Sequence, residues 1–585
     1  MNLKLALIPV ISLTAFTLIS STVTLIGLGT IGEVSFPTYQ WWLYLVATMP
    51  DDYTQSLVNQ WLGYGGIAGA LAAAMALYRT MGASILKQKR ALYGSIDFAT
   101  EGQGRKAGLV YSSKPRPDCI LLGRTAGFMG FRRRYIGLPG PQHVLLYGIT
   151  GQGKGVSYVV PNCLNYEDSL VVLDLKRENY ERTAAHRKDV LGQDVFLFNP
   201  LAEDGATHCW NPVGGIDESQ PDYMARIQRR AFNLFPAVSS THKNSFWIDG
   251  ARTAWFGVAT LICETPGMSL TPAAIFEFFV RGDAVETISR MVEERRETDR
   301  PYTQNCINLL SDYLRGNEEM VEGIRKQVTS VMGVWFNPKI VAATSKSDFD
   351  LRDLRRKKMT IYIGVMPAEL GALGFLIRLF FLQLFDACMD SHPDYDDSIT
   401  HRCHVMMDEL TALPPMRAIA KSNGFARGFL LHFSFVVQTK KDLIKEYEDE
   451  GLASLVGNLG AEIIFRTSDE ALKREVSERT GTDTVDSVSR SAPRFFSLFR
   501  ATEQNENTSQ AKRVLLLPQE IQELPEDEQL MFRDGAPVFK VKRNCWYRDR
   551  HFKNLQKEPP VLPIVKFSLK RDDGSVKFSI KKKER

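Results

Sequence analysis

The stretch that decides the fold is HVLLYGITGQGKGVSYVVPNCL, residues 143–164. HVLLYG has the apolar character of a buried β-strand, and VSYVVPNCL has that of the helix that follows. GITGQGKG between them has the spacing of a P-loop, in which glycines let backbone N–H groups surround phosphates and a lysine reaches the β- and γ-phosphates. The sequence therefore predicts a phosphate-binding loop between a strand and a helix, with Lys154 as its lysine.

The predicted P-loop departs from the usual pattern at Gly155. The usual pattern has Ser or Thr there to hold Mg²⁺, and Ser157 lies two residues too far along the chain to be a good substitute. The flanking strand and helix still favour nucleotide binding. The residues predicted to contact the nucleotide are Gly148, Ile149, Thr150, Gly151, Gln152, Gly153, Lys154, Gly155 and Val156.

Buried-strand patterns recur on both sides of a long helical region. The strand patterns lie at residues 169–176, 194–200, 359–365, 403–409, 432–439 and 461–467. Strands that alternate with helical stretches are typical of a parallel α/β sheet. Between about 216 and 337 the strand patterns stop. The helical patterns there lie at residues 221–235, 244–264, 271–280, 282–296, 303–315 and 318–336. The simplest account is one α/β domain interrupted by an all-α insertion.

Two details support these predicted helices. Thr271-Pro272 is typical of a helix start, with an N-cap hydroxyl followed by proline at the first helical position. The helix at 244–264 has an apolar stripe at helical spacing, which predicts a core-facing side. The stripe consists of Trp247, Ala251, Trp255, Val258 and Ile262.

Polar residues end two of the predicted strands. In VMMDEL, residues 405–410, Asp408 would hold Mg²⁺ through water, and Glu409 would orient or deprotonate the attacking water. The alternative is an exposed strand terminus, but a P-loop in the same domain favours the functional interpretation. Gln438 ends another strand, where it would touch the γ-phosphate because ligands of open α/β sheets bind at that edge.

Other polar residues near the strands have less specific signals. Arg427 precedes one strand and Arg466 follows another, and either could supply the trans cation that assists phosphoryl transfer across a subunit interface. Three polar residues after the strand at 169–176 either face the same site or form a solvated turn, and they are Asp174, Lys176 and Glu178.

Composition and cysteine spacing exclude several classes of protein. The chain has 585 residues, of which 44% are hydrophobic and 24% charged, which excludes wholesale disorder. The 8 cysteines are scattered without CxxC spacing, which argues against a disulfide scaffold or a zinc finger and fits a reducing compartment. His401, Cys403 and His404 are close in sequence, but their spacing does not suit structural zinc, so a loop ahead of a buried strand is the favoured interpretation.

The N-terminal region has the pattern of a membrane anchor. Two uncharged runs predict transmembrane helices at about 5–30 and 58–78, the second with GxxxG spacing. The segment between them has acidic residues but no Lys or Arg, whereas basic residues follow the second run. The positive-inside rule therefore predicts cytoplasmic termini and a periplasmic loop. The alternative for residues 1–30 is a cleaved signal peptide.

The net charge of +5 is unevenly distributed. Residues 79–140 carry twelve Lys or Arg against three acids, and residues 566–585 carry eight against three, so the body between them is mildly acidic. The first basic segment suits anionic lipid headgroups just inside a membrane, although it would also suit a DNA path. The tail at 565–580 alternates around Asp573-Gly574, which predicts a β-hairpin.

In their order along the chain, these motifs resemble the coupling proteins of bacterial type IV secretion systems, the TraG/TraD-like ATPases of conjugation. The resemblance rests on HVLLYGITGQGKGVSYVVPNCLN, VVLDLKREN, FLFNP, WNPV, SKSDF, VMMDEL, VVQT and LLLPQEI. The GKG form of the P-loop occurs in this family. Where the family often has Arg-Ser before GKG, this chain has Gly151-Gln152.

The resemblance implies a RecA-like ATPase of the bacterial inner membrane that uses ATP and Mg²⁺. It further implies a homo-hexamer with a central channel and an all-α domain that meets the substrate. The expected partners are the inner-membrane components of the secretion system, the relaxase and relaxosome with DNA, protein effectors or adaptors, and membrane lipids.

The predicted organisation follows from these patterns and the resemblance. It comprises a membrane anchor at 1–90, the first part of the nucleotide-binding domain at 91–215, the all-α insertion at 216–337, the second part of the nucleotide-binding domain at 338–550 and a basic tail at 551–585. The favoured function is an ATP-driven motor and substrate receptor. The alternatives are a scaffold in which nucleotide only holds the hexamer together, and an FtsK-like DNA translocase.

Overall fold

The computed structural model describes residues 97–127, 133–237, 244–281, 284–491, 505–571 and 574–577, together with the isolated residues Tyr64, Ile67 and Ala70. Those three isolated residues are helical and exposed. The rest of the two predicted membrane helices, at about 5–30 and 58–78, lies outside the described residues.

Sixteen strands occur in the described residues. They are β1 (Val110–Ser112), β2 (Cys119–Arg124), β3 (Tyr135–Pro139), β4 (His143–Tyr147), β5 (Ser169–Leu175), β6 (Asp194–Phe198), β7 (Met359–Val365), β8 (Cys403–Asp408), β9 (Leu431–Val437), β10 (Leu459–Ile464), β11 (Thr482–Ser491), β12 (Asn505–Val514), β13 (Glu528–Phe532), β14 (Phe539–Lys542), β15 (Ser568–Arg571) and β16 (Gly574–Lys577).

Twelve of these strands form one sheet, in the order β1-β3-β2-β14-β13-β10-β4-β9-β8-β5-β7-β6. All neighbours from β10 to β6 are parallel, and these seven strands are the ones that the sequence predicts. All neighbours from β10 to β1 are antiparallel. We call the five strands β13, β14, β2, β3 and β1 the antiparallel wing, and the sequence analysis did not predict it as a unit.

Helices cover the sheet and form a separate block. The helices of the described residues are α1 (Glu101–Lys106), α2 (Val160–Asn165), α3 (Glu178–Asp189), α4 (Tyr223–Leu234), α5 (Ser245–Glu264), α6 (Pro272–Val280), α7 (Ala284–Arg296), α8 (Gln304–Arg315), α9 (Glu318–Val331), α10 (Pro338–Ala343), α11 (Leu370–Met389), α12 (Arg417–Ala426), α13 (Lys440–Val456), α14 (Glu470–Arg479), α15 (Pro518–Gln522) and α16 (Arg550–Lys553).

The parallel strands are buried on both faces, which explains their continuous apolar sequences. In β4, Leu145 and Tyr147 join the core on one face, whereas Val144 and Leu146 join the core on the other. The first core continues into α11 and the block of helices α4 to α9, and the second contains residues of α2 and α3. Because both faces of the parallel sheet are covered, a functional site can form only where its strands end.

The helical block α4 to α9 is organised around α5. Ala251, Trp255, Val258 and Ile262 are fully buried, as the apolar stripe predicts. Trp247, the first member of that stripe, is only half-buried because it lies in the first turn of α5, where its ring packs edge-on against Phe246. The predicted helix start is confirmed, since the Thr271 hydroxyl accepts a hydrogen bond from the Ala274 N–H at 3.1 Å.

One helix in the described part of the chain is long and apolar enough to cross a membrane. It spans Pro367–Met389, and 67% of its most apolar window is buried. Leu373, Phe380 and Phe381 are among its fully buried residues. Within the described residues this helix is therefore a core helix under the sheet.

Two further two-stranded sheets complete the described structure. β15 and β16 pair antiparallel, with Arg571 opposite Gly574, which confirms the hairpin predicted in the tail. β11 and β12 form a separate two-stranded sheet. Nearly all of these two strands lies outside the compact unit that contains the twelve-stranded sheet.

Candidate active site

The phosphate-binding loop links β4 to a π-helical turn, Gly155–Val159, that leads into α2. Gly151 and Gly153 have φ values of 82° and 77°, in the left-handed region that glycine adopts without a steric penalty. A Cβ atom on Gly153 would also lie 2.8 Å from Val156 Cγ2. The strand, loop and helix are therefore arranged as the sequence predicts, and the glycines are required by the backbone.

Gly155 stands where the usual P-loop has Ser or Thr, and the structure shows that there is room for a side chain at this position. A Cβ atom built on Gly155 would have no neighbour within 4 Å, and its φ is not in the left-handed region. Ser157 is 6% exposed, and its hydroxyl donates to the Gly153 carbonyl oxygen at 2.6 Å. Ser157 thus stabilises the loop through a hydrogen bond to its backbone.

Lys154 and Glu409 meet at this loop, as expected from their motifs. Lys154 Nζ lies 3.3 Å from Glu409 Oε2, and the two side chains are 10% and 18% exposed. The other carboxylate oxygen of Glu409 accepts a hydrogen bond from the Thr411 hydroxyl at 3.2 Å. Glu409 has φ 87° and ψ 64°, a left-handed conformation that costs a non-glycine residue on the order of 1 kcal/mol or more.

Asp408 lies at the end of β8, beside this ion pair, and lines the same cleft. Burial raises the pKa of the Asp408 carboxyl to about 6, with Lys154 opposing the shift and Glu409 adding to it. The nearby Asn179 side chain also favours the charged form of Asp408 and so opposes the rise of its pKa. A carboxyl with this pKa binds a cation only when deprotonated, so its affinity for a metal depends on pH.

Asp174 has a structural role that its motif did not reveal. Its carboxylate is fully buried at the end of β5 and accepts the Asn179 N–H at 3.1 Å and the Tyr180 N–H at 2.7 Å. It also accepts a hydrogen bond from Asn179 Nδ2 at 3.1 Å. Burial raises the pKa of Asp174 to about 7, against the effect of these hydrogen bonds. Asp174 therefore anchors the start of α3 and orients Asn179 toward Asp408.

Lys176 and Glu178, the other two residues of that motif, line the cleft beside the P-loop. Lys176 has a left-handed backbone with φ 85°, as does Arg177 with φ 63°. Of the two interpretations left open for this motif, the structure favours a position at the site.

Gln438 directly follows β9, which lies between β4 and β8 in the sheet. Because parallel strands end at the same edge, Gln438 and the carboxylates share that edge with the P-loop. Gln438 is half-buried there.

The two candidate arginines lie at opposite edges of the sheet. Arg466 follows β10 at the P-loop edge, and its Nη2 lies 3.2 Å from Glu526 Oε1. Arg427 precedes β9 and is exposed, so it belongs to the opposite edge. Within one chain the fold therefore does not bring Arg427 to Lys154 and Glu409, and any contact with nucleotide would have to come from a neighbouring copy.

The histidine and cysteine cluster is not a metal site in the described structure. His401 lies 3.4 Å from Asp168, and His404 is buried in β8 with its ring 4.5 Å from that of His432. Burial lowers the pKa of His404 to about 3. Among the residues described, no group of three or more His, Cys, Asp or Glu could hold a metal ion. The 8 cysteines are all free.

Two residues at the site escaped the sequence analysis. Asn179 donates to buried Asp174 and lowers the pKa of Asp408, and only its position just after LDLKRE hinted at this. Arg543 donates from Nη1 to the Gln152 carbonyl oxygen at 2.8 Å, across 391 positions of sequence. No local signal marks such a contact, since Arg543 simply follows a short strand of the antiparallel wing.

Taken together, the parallel sheet, the glycine loop and the Lys154–Glu409 pair define a P-loop nucleotide-binding protein of RecA-like fold. The chain belongs to the family described as type IV secretory system conjugative DNA transfer, whose family model matches residues 86–566.

Named relatives agree with this assignment. The chain is 31% identical to protein VirD4 of Rhizobium radiobacter over 483 residues, which cover 81% of this chain and 66% of that protein. It is 29% identical to VirD4 of Agrobacterium fabrum over 472 residues, 79% of this chain and 67% of that one. A conjugal transfer protein TraG of Escherichia coli is 22% identical over 582 residues, 90% of each chain. The chain thus spans 66% of the length of the first of these relatives.

Solved structures share the fold. The bacterial conjugative coupling protein TrwBdeltaN70 superposes with a TM-score of 0.55 at 16% identity, covering 81% of this chain and 96% of that one. TrwB in complex with ADP and Mg²⁺ gives a TM-score of 0.52 at 17% identity, covering 78% and 94%. TrwB has also been solved with the non-hydrolysable ATP analogue ADPNP, at a TM-score of 0.54.

Proposed function

We propose that this chain is an inner-membrane coupling ATPase of a bacterial type IV secretion system. It recruits relaxase-bound single-stranded DNA, protein effectors or both, and drives their transfer by ATP hydrolysis. The observation that carries the proposal is the meeting of Lys154 and Glu409, 3.3 Å apart, beside a glycine loop at one edge of the parallel sheet. That arrangement supplies the phosphate-binding cation and the base that hydrolysis requires.

The proposed roles follow from chemistry. The Lys154 ammonium neutralises the β- and γ-phosphates, and the Glu409 carboxylate orients and deprotonates water once nucleotide has drawn Lys154 away from it. Gln438 contacts the γ-phosphate from the neighbouring strand. Arg427 acts in trans, from the next subunit of a homo-hexamer.

The residues present fit Mg²⁺, which prefers hard oxygen ligands. Asp408 and Glu409 are carboxylates at the cleft, and the pKa of Asp408, about 6, leaves it mostly ionised at neutral pH. When bound, the metal supplies positive charge to the phosphate oxygens. The complexes of TrwB with ADPNP and with ADP and Mg²⁺ support ATP and Mg²⁺ as the ligands here.

The family assignment supports a coupling protein over an FtsK-like translocase. It also supports DNA and the secretion system as partners, since the family is defined by conjugative DNA transfer. The membrane anchor at 1–90 and the hexamer are parts of the proposal that rest on the sequence patterns and on the resemblance.

A scaffold that only binds nucleotide is the second candidate, because Gly155 lacks the usual P-loop hydroxyl. Purified full-length protein separates the two candidates. The motor is expected to hydrolyse ATP faster when single-stranded DNA is added, and Glu409→Gln is expected to bind nucleotide without turnover. Glu203→Gln, in an exposed turn after β6, is the matched control and should hydrolyse ATP like the wild type. Nucleotide binding without any turnover by the wild type would support the scaffold instead.

A further inference from the structure

Arg543 is a buried cation behind the phosphate-binding loop. It follows β14 in the antiparallel wing and is 4% exposed. Among the described residues no carboxylate forms an ion pair with it, and its Nη2 has no hydrogen-bond partner. Glu526 and Asp527 favour its charged form, but neither lies within ion-pair distance of it. Burying a charge without an ion-pair partner costs stability, so a role in folding alone is a poor explanation for this residue.

The guanidinium instead joins the wing to the loop. Nε donates to the Glu528 carbonyl oxygen at 3.0 Å, and Nη1 donates to the Gln152 carbonyl oxygen at 2.8 Å. Its central carbon lies 3.5 Å from the centre of the Phe465 ring. Phe465 in turn packs closely on the start of the loop, since a Cβ atom on Gly148 would lie 3.0 Å from Phe465 Cδ2.

Gln152 lies between Gly151 and Gly153, two glycines whose backbones are both left-handed. The peptide that joins Gln152 to Gly153 is planar and trans, so its C=O and N–H groups point in opposite directions. Because Arg543 binds the Gln152 carbonyl oxygen, the Gly153 N–H of the same peptide points away from Arg543. Inward-facing N–H groups of this kind are what make such loops bind anions.

We propose that Arg543 is a positioning residue of the nucleotide site, which fixes the Gln152–Gly153 peptide in the anion-binding orientation before nucleotide arrives. The proposal rests on the proposed function, because it assumes that this loop binds a nucleoside di- or triphosphate. It makes the antiparallel wing a support for the site. A charge-assisted hydrogen bond to one carbonyl suits this task better than a neutral one.

Arg533 offers a matched control on the same wing. Its Nε donates to the Ala107 carbonyl oxygen at 3.0 Å, and its Nη1 donates to Gln142 Oε1 at 2.5 Å. It thus ties the wing to the residue that precedes β4, at the opposite edge from the P-loop. Arg533→Lys removes a comparable fork of hydrogen bonds without touching the loop.

The test compares Arg543→Lys, Arg543→Gln and Arg533→Lys in the full-length protein, with fluorescent ADP as the binding probe. Lysine keeps the charge but cannot hold both carbonyl oxygens and stack on Phe465. We expect both Arg543 variants to bind ADP about tenfold to a hundredfold more weakly, which is the effect of losing one charged hydrogen bond. The KM for ATP should rise by the same factor with little change in kcat, and Arg533→Lys should bind like the wild type.

The outcomes separate the inference from the function. Wild-type affinity in Arg543→Lys would overturn the inference, as would a lowered melting temperature without weaker binding or an equal loss in Arg533→Lys. Wild-type protein that binds ADP but hydrolyses nothing would refute the motor, while the affinities still decide the role of Arg543. Wild-type protein that binds no nucleotide would refute both.

Discussion

At the scale of single residues, the site holds an ion pair, the buried carboxyl group of Asp174 and the half-buried carboxyl group of Asp408 close together. The Lys154–Glu409 pair is partly shielded from solvent, and the left-handed backbone of Glu409 is the kind of strain that persists where function requires it. Asn179 donates to Asp174 and lowers the pKa of Asp408, so its side chain influences both carboxyl groups. Two predictions follow from these contacts.

The first concerns pH. In the proposed site Asp408 holds Mg²⁺ only when it is ionised, and its pKa is about 6, so magnesium-dependent nucleotide binding should weaken as the pH falls through 6. The raised pKa has the opposite consequence for the stability of the ligand-free protein. Asp408 and Asp174 bind protons more tightly when folded than at their ordinary pKa of 3.8, so stability without ligand should fall as the pH rises from about 4 to 7.

Titration of fluorescent ADP with and without Mg²⁺, between pH 5 and 8, checks this prediction. Asp408→Asn is the control and should bind with little dependence on pH in that range. A wild-type magnesium effect that stays constant from pH 5 to 8 would contradict the assignment of Asp408.

The second concerns Asn179. Asn179→Ala removes the side-chain donor to buried Asp174, which should destabilise the protein by roughly 1–3 kcal/mol. It also removes a group that lowers the pKa of Asp408, which should move the pH midpoint of magnesium-dependent binding upward. Asn165→Ala is a matched control, because Asn165 is also buried and donates to the Arg116 carbonyl oxygen at 2.7 Å, but lies away from the cleft. Urea unfolding should show a loss in both variants, with the pH midpoint shifted only in Asn179→Ala. An unshifted midpoint in Asn179→Ala would refute the link between Asn179 and Asp408.

At the scale of elements, the phosphate-binding loop depends on backbone conformation more than on side chains. Gly153 is required by its φ of 77° and by its contact with Val156, whereas Gly155 has open space around it. The two glycines of GKG, on either side of Lys154, therefore have different tolerances for substitution. The loop also rests on Phe465 and Arg543, which belong to distant parts of the chain.

Gly155→Ser is accordingly expected to fold with a stability within about 0.5 kcal/mol of the wild type and to retain nucleotide binding. Gly153→Ala is expected to lose more than about 1 kcal/mol and most of its affinity for nucleotide, because alanine resists left-handed φ. Thermal unfolding and ADP titration of the two variants check this contrast. Equal tolerance at both positions would show that the loop geometry described here is wrong.

The sequence predicts the parallel strands well because each is an uninterrupted apolar run buried on both faces. It does not predict the antiparallel wing, whose strands are short and pair across long separations. β14, for example, meets β2 only through Lys542 and Arg124. Lys154, Asp408 and Glu409 are recognisable because their motifs are local, whereas the contacts of Asn179 and Arg543 exist only after folding. The spacing places Trp247 correctly on the core-facing side, but it does not show that a residue in the first turn of the helix is only half-buried.

At the scale of the whole molecule, the two ends of the parallel strands carry different candidate functional residues. The cleft with the P-loop and the carboxylates lies at one edge, whereas Arg427 lies at the other. A ring of subunits that brings the second edge of one copy to the first edge of the next would complete the site, which is the arrangement that the proposed hexamer requires. Transfer of substrate would then depend on hydrolysis at each such junction.

Substrate transfer by cells that carry Glu409→Gln in place of the wild type is the decisive measurement of whether ATP hydrolysis at this site drives transfer. DNA transfer to recipient cells and secretion of protein effectors are scored side by side, with Glu203→Gln as the control. We expect Glu409→Gln to bind nucleotide still but to lose the transfer that the wild type and Glu203→Gln support. Undiminished transfer by Glu409→Gln would contradict the claim that ATP hydrolysis at this site drives it.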